Sequence, residues 1–260
     1  MFAAKAFVLS LLVVYANAKC DISPRFWCTS RAIAEQCGVL QACSDWWEVQ
    51  SQGTASPVAI SLYFESLCPG CREFITQMLY PTWKTFKATG IMKADMTPYG
   101  NANEEQLPSG MWNFTCQHGP EECTGNLIEN CLLKYTGYEF DTYFPIIYCM
   151  ENSQDPIAAA EKCITDAGQD WATINKCAKN DEGNGLMHKS GMKTDALEPK
   201  HKYVPWILVN GMHTEELQQK AQTDLPKLLC EMYGGEKPQE CQMFMHPHPT
   251  AKKQKLRNHQ

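Results

Sequence analysis

The sequence predicts an α/β fold, and three observations lead there. Pro57-Val-Ala-Ile-Ser-Leu-Tyr-Phe64 reads as a buried β-strand, and Cys68-Pro69-Gly70-Cys71 follows it where a helical apolar period begins. A second strand-like run, Tyr203–Val209, precedes another amphipathic stretch near the end of the chain. The long segment between them, Cys116 to about Leu197, is mostly helical in its periodicity.

Each element has a local cause. In the first helix Cys71, Phe74, Ile75, Met78, Leu79 and Phe86 recur with a period of about 3.6 residues. Pro81 is expected to kink this helix without ending it, because Trp83 and Phe86 keep the phase. A second strand is expected over Ile91–Thr97, before a turn at Pro98-Tyr-Gly-Asn101. Leu127, Ile128, Cys131, Leu132 and Tyr135 mark a helix in the middle segment, and the apolar run Phe144–Cys149 belongs to the core. Asp155-Pro156 supplies a cap and a first-turn proline for a further helix. Asn210-Gly211 is turn chemistry, and Thr214 caps a last helix to about Tyr233, with Glu215 and Glu216 in its first turn. The closing strand of the sheet should fall near Gly211–His213. Strand, helix and strand, then a helical insertion at about 105–197, then strand and helix describe a thioredoxin-like domain over residues 56–235.

The remaining segments bound where the protein works. Met1–Ala18 carries Lys5, an apolar core and an Ala16-Asn17-Ala18 exit, the pattern of a secretory signal peptide. Residues 19–50 hold Cys20, Cys28, Cys37 and Cys43 in a segment too short to bury its own core, so two disulfides are expected to staple it. Residues 236–260 are a polar, basic tail expected to be disordered or removed. Fourteen cysteines in 260 residues suit an oxidising lumen. A net charge of −6 offers nothing to nucleic acid, and no apolar run approaches the roughly 20 residues of a membrane span. Asn113-Phe114-Thr115 is the one glycosylation sequon.

Two thiols spaced three apart at a strand-to-helix junction have the geometry of thiol–disulfide exchange. Cys68 lies at the helix start, where unpaired backbone N–H groups stabilise a thiolate; it is the expected nucleophile, solvent-exposed, with Cys71 as the resolving thiol. A plain staple between them would close too small a loop to stabilise much. Cys116, His118 and Cys123 can be written as a zinc cluster, but lumenal cysteines pair with one another, so no metal is expected. No bound cofactor is expected either, only an external small-thiol reductant. Val204-Pro205 is expected to be cis beside the reactive sulfur, its backbone positioned to hydrogen-bond an extended substrate. Parity allows four more bridges among Cys116, Cys123, Cys131, Cys149, Cys163, Cys177, Cys230 and Cys241, with Cys230–Cys241 the expected pair. The sequence names no base for Cys71.

Two resemblances add to this. Cys20 to Trp47, through Phe26-Trp27-Cys28 and its cysteine spacing, resembles a saposin A-type segment, which implies a sorting appendage or lipid contact. Cys116-Gln-His-Gly-Pro-Glu-Glu-Cys123-Thr-Gly-Asn126-Leu-Ile-Glu-Asn-Cys131, with Pro98–Ala102, Tyr203–Trp206 and Val209–Gly211, resembles the gamma-interferon-inducible lysosomal thiol reductases. That likeness implies an endosomal or lysosomal enzyme, also secreted in part, that reduces protein disulfides at acid pH and in vertebrates supports antigen presentation. It places the redox pair on Cys68 and Cys71, makes Cys116, Cys123 and Cys131 scaffold bonds, and gives His118 a loop-fixing role. Two competing readings remain: a secretory-pathway oxidase or isomerase using the same sulfurs, and a non-enzymatic lumenal binding protein.

Overall fold

A computed structural model describes residues 20, 22, 26–44 and 55–245. The expected signal peptide and the chain beyond residue 245 lie outside them. The chain divides into two compact units, Met1–Gly53 and Thr54–Gln260. In the first, helix α1 (Arg31–Gln36) is capped by Ser30, whose hydroxyl accepts the Ile33 N–H at 3.2 Å. Disulfides Cys20–Cys37 and Cys28–Cys43 staple this unit.

The second unit is built on strand β1 (Val58–Phe64), where Ile60, Leu62 and Phe64 have no solvent exposure. Each such side chain contributes about 1.5–3 kcal/mol by burial. Helix α2 (Pro69–Phe86) crosses over to β2 (Met92–Pro98), which lies parallel to β1 with Val58 opposite Met92 and Phe64 opposite Pro98. A parallel pair needs such a crossover. After the insertion, β5 (Trp206–Val209) returns antiparallel on the other edge of β1, Tyr63 facing Trp206. The sheet order is therefore β2-β1-β5. Beyond it, the strand expected near Gly211–His213 is reduced to one bridge, Val209 to Met212, because Asn210 and Gly211 both take positive φ and turn the chain at once.

Helix α2 runs from Pro69 to Phe86 in three segments, Pro69–Glu73, a π-helical Phe74–Leu79, and Tyr80–Phe86. Pro81 does not end it. The widened turn just before the proline, with Tyr80 N–H bonded back to Ile75 O, is how the helix accommodates a missing donor.

The insertion opens with a hairpin, β3 (Asn103–Gln106) and β4 (Trp112–Thr115), inside the region read as helical from about residue 105. Five helices follow: α3 (Pro120–Tyr135), α4 (Phe140–Glu151), α5 (Pro156–Asp166), α6 (Trp171–Ala178) and α7 (Asp181–Asp195). Asp155 caps α5 through its side chain, as its position before Pro156 predicts. Phe144, Ile146 and Ile147 are buried, and Phe144 packs edge-on to Trp83 of α2. Bridges Cys131–Cys177 and Cys149–Cys163 tie α3 to α6 and α4 to α5.

Thr214 caps α8 (Glu215–Met232), which is broken at Asp224 ahead of Pro226. The Asp224 carboxylate accepts Lys227 N–H at 3.2 Å and so starts a second helical half. Residues expected to begin a disordered tail at 236 are folded as far as Met245: Gln239–Cys241 is a short helical turn and Gln242–Met245 forms α9. Bridge Cys230–Cys241 and the contact of Phe244 with Phe86 hold them, apolar anchors that the tail's polar composition hid. Among the described residues no helix is long and apolar enough to cross a membrane.

Candidate active site

The turn after β1 places both redox cysteines. Cys68 is the N-cap of α2: its backbone is extended, its sulfur accepts Cys71 N–H at 3.2 Å, and Pro69 takes the first helical position. Its own N–H donates to Glu65 O at 3.3 Å. Cys68 and Cys71 are the free thiols, the other twelve cysteines forming six bridges. Contrary to expectation Cys68 is not exposed; it shows 6% of its surface and Cys71 none. The covering element is the loop before β5. Val204-Pro205 is cis, Val204 O lies 3.9 Å from the Cys68 sulfur, and Pro205 Cδ stands 3.6 Å from where a Cβ on Gly70 would be.

Environment drives the two sulfurs apart. The hydrogen bond from the Cys71 thiol, helped by the Cys71 N–H, lowers the Cys68 pKa against burial and the charge of Glu65, with His118 adding a further downward pull. Burial, then the Cys68 neighbour, pushes Cys71 well up. One thiol is set to ionise and its partner to keep its proton.

The long cysteine signature clamps this turn. Ser66 N–H donates to Asn126 Oδ1 at 3.0 Å and Ser66 Oγ donates to Glu122 O at 3.1 Å. A Cβ on Gly125 would lie 2.2 Å from Ser66 Oγ, so only glycine lets α3 come this close. Asn130 Nδ2 donates to Pro98 O at 2.8 Å and fastens α3 to the end of β2. The Cys116–Cys123 bridge closes the loop that carries His118.

Buried acids surround the motif. Glu65 and Glu122 have no exposure, and both approach His118: Nδ1 is 2.5 Å from Glu122 Oε2 and 3.5 Å from Glu65 Oε1. Burial raises Glu65 to about 7. Glu151 and Glu129 are buried as well, burial raising the first to about 8 and the second well above the carboxyl range. Arg72 Nε stands 3.5 Å from Glu151 Oε2 and donates to Glu151 O at 3.1 Å. As for metals, Cys116 and Cys123 are spent on their bridge. Glu65, His118 and Glu122 bring potential ligand atoms within 4.8 Å of one another, with His118 and Glu122 joined by a 2.5 Å hydrogen bond. Beside the motif, Leu67, Arg72, Glu121, Gln154, Asp155 and Pro156 line an open cleft of about 480 Å³.

A family model described as gamma interferon inducible lysosomal thiol reductase matches residues 59–167. A "Gamma-interferon-inducible lysosomal thiol reductase" of Carassius auratus is 48% identical over 224 residues, 85% of this chain and 84% of that protein. The chain belongs to the gamma-interferon-inducible lysosomal thiol reductase family. A mouse protein of the same name is 42% identical over 188 residues, covering 71% of this chain and 72% of its own length. A solved DsbA from Chlamydia trachomatis is similar over 66% of this chain and 87% of its own, at 13% identity and a TM-score of 0.45. The β2-β1-β5 sheet, with β2 parallel and β5 antiparallel to β1 and the Cys68 helix crossing between β1 and β2, is thioredoxin-like.

As a member of this family the chain is a thiol–disulfide oxidoreductase. Sequence reasoning reached Cys68, Cys71, Val204 and Pro205, and the structure brings all four together. It missed the acids. Glu65, three residues before Cys68, and Glu129 and Glu151 within helical segments drew no reading, and Glu122 entered only as a letter of the cysteine signature, although all four are buried.

Proposed function

We propose that this enzyme reduces disulfides of proteins in an acidic endosomal or lysosomal compartment, with Cys68 as nucleophile and Cys71 as resolving thiol. The observation that carries the reading is the single unbridged pair, one sulfur lowered in pKa at a helix start and the other buried and raised. The Cys68 thiolate attacks one sulfur of the substrate disulfide; that S–S bond breaks, and the departing thiolate takes a proton. Cys71 then gives up its proton and attacks the Cys68 sulfur, releasing the second substrate thiol and leaving a Cys68–Cys71 disulfide. Two equivalents of a small thiol restore the dithiol and become a disulfide themselves. A thiol of ordinary pKa near 8.5 is only about three parts in ten thousand ionised at about pH 5, so work there requires the lowered Cys68.

The Val204 backbone beside Pro205 is the expected seat for an extended substrate chain. The exposed Asn113 on β4 is the expected glycosylation site, in keeping with a secretory route.

The lowered Cys68 also favours the reduced enzyme, a property of oxidants, which keeps an oxidase or isomerase as the second reading. Turnover of a disulfide substrate from about pH 4 to 8 with a small-thiol donor separates the two. Reduction that persists in acid and vanishes in Cys68→Ser supports the first, and Cys71→Ser should accumulate a mixed disulfide with substrate. Efficient oxidation of reduced proteins at neutral pH, without acid reductase activity, overturns it.

A further inference from the structure

We propose that His118 and Glu65 are positioning residues that govern the ionisation of Cys68 in opposite senses, arming the sulfur when the imidazole carries its proton and the carboxyl keeps its own. This deepens the proposed function, since it rests on Cys68 as the nucleophile.

The geometry comes first. Glu65 directly follows β1, and its carbonyl accepts Cys68 N–H at 3.3 Å. Its buried side chain is fixed at one oxygen, Oε2, which accepts Asn101 N–H at 2.8 Å. The other oxygen, Oε1, has no hydrogen-bond partner and points toward His118 Nδ1 at 3.5 Å. His118 is fixed from the far side by Glu122, which takes its backbone N–H at 3.1 Å and its Nδ1 at 2.5 Å. The His118 side chain is 32% exposed and exchanges protons with solvent, whereas Glu65 is sealed.

The groups acting on the sulfur are Cys71, Glu65 and His118, and Glu151 also senses it. Glu122 faces both His118 and Glu65, while Arg72 and Glu129 face Glu151. Burial works against a charge on His118, yet the Glu122 hydrogen bond and the fields of Glu122, Glu65 and Cys68 raise it overall. Glu65, raised by burial to about 7, and Glu151, raised to about 8, both keep their protons in acid. In acid, then, the variable charge acting on the sulfur is the His118 cation. As pH rises Glu65 becomes an anion and the imidazole in its turn loses its charge, and both changes disfavour a thiolate. The thiolate population of Cys68 should therefore rise with pH less steeply than that of an isolated thiol, holding up on the acid side.

Iodoacetamide alkylation between about pH 4.5 and 8.5, with the adduct located on Cys68 by mass spectrometry, reads this without any substrate. His118→Gln should slow alkylation at about pH 5 by roughly tenfold, the equivalent of one unit of thiol acidity. Glu65→Gln should speed it at about pH 8 by a similar factor. His118→Lys, a cation at every pH used, should keep the acid rate and gain at about pH 8. A merely structural role would slow both ends together. Near-UV circular dichroism and a titre of two thiols per chain report folding for each variant. Profiles that superimpose on wild type, or fall in parallel at all pH values, overturn the proposal. Loss of acid reductase activity in wild type, with these shifts intact, would overturn the proposed function and leave this inference standing.

Discussion

The backbone N–H of Ser66 donates to the side-chain oxygen of Asn126 at 3.0 Å, so the turn that presents the redox cysteines hangs from the middle of α3. Both residues are buried, and water cannot replace the bond. Asn126→Ala should cost about 1–3 kcal/mol, the penalty of an unsatisfied buried donor, and should lower turnover through misplacement of Cys68. Urea unfolding together with a reductase assay checks it; unaltered stability and rate would show that the turn holds itself.

Gly100 takes a φ of 60° in the turn after β2, and a Cβ there would stand 2.4 Å from Glu65 Oε2. Gly100→Ala combines left-handed strain with overpacking and should destabilise by about 2–4 kcal/mol. Gly110→Ala is the matched control, because Gly110 has a φ of 87° and nothing within 4 Å of its would-be Cβ. It should cost about 1–2 kcal/mol from strain alone. Equal losses at the two positions would mean that the Glu65 contact is irrelevant.

Thermal stability should decline from about pH 5 to about pH 8. Burial raises Glu65 to about 7, Glu151 to about 8 and Glu129 well above its usual 4.5. Between 4.5 and those values the folded chain holds protons that the unfolded chain has released, so stability falls as pH rises through the window. His118, raised overall, contributes in the same sense. Cys68, lowered mainly by the Cys71 thiol, and His201 and His213, lowered by burial, act oppositely, but they do not outweigh three carboxyls. Glu129→Gln should flatten the curve by gaining stability at the alkaline end. A melting temperature that climbs toward pH 8 in wild type would contradict this sign.

Removing the Cys131–Cys177 bridge by paired alanine substitution should cost more than removing Cys116–Cys123. The bridges span 46 and 7 residues, which corresponds to about 4 against about 2.4 kcal/mol of unfolded-chain entropy. Calorimetric melts of the two double variants rank them, and the reverse order would point to native-state packing as the larger effect.

What the sequence discloses follows the range of the interactions involved. The β1 run, the Thr214 and Asp155 caps and the Cys68 motif rest on local chemistry, and they stand where the residues put them. The β3–β4 hairpin went unread because its short strands are held by distant partners: Asn184 bonds both backbone groups of Trp112, and His188 stacks on the Trp112 ring. The break in α8 was locally marked, since Asp224-Leu-Pro226 is a cap followed by a first-turn proline, but the apolar phase continues across it. The buried acids are the hardest case. A glutamate on α3 or α4 carries no local sign that β2 and α2 will pack against these helices; only the assembled fold removes it from water.

The recess around Cys68 bears on what can be cut and how fast. A cysteine that shows 6% of its surface, its sulfur 3.9 Å from Val204 O, is beyond the reach of a cross-link lying flat on a compact globule. The bond must arrive on a strand slack enough to thread in. Turnover of a tightly folded client is then paced by how often that client frays, while a short linear peptide reports the sulfur chemistry alone.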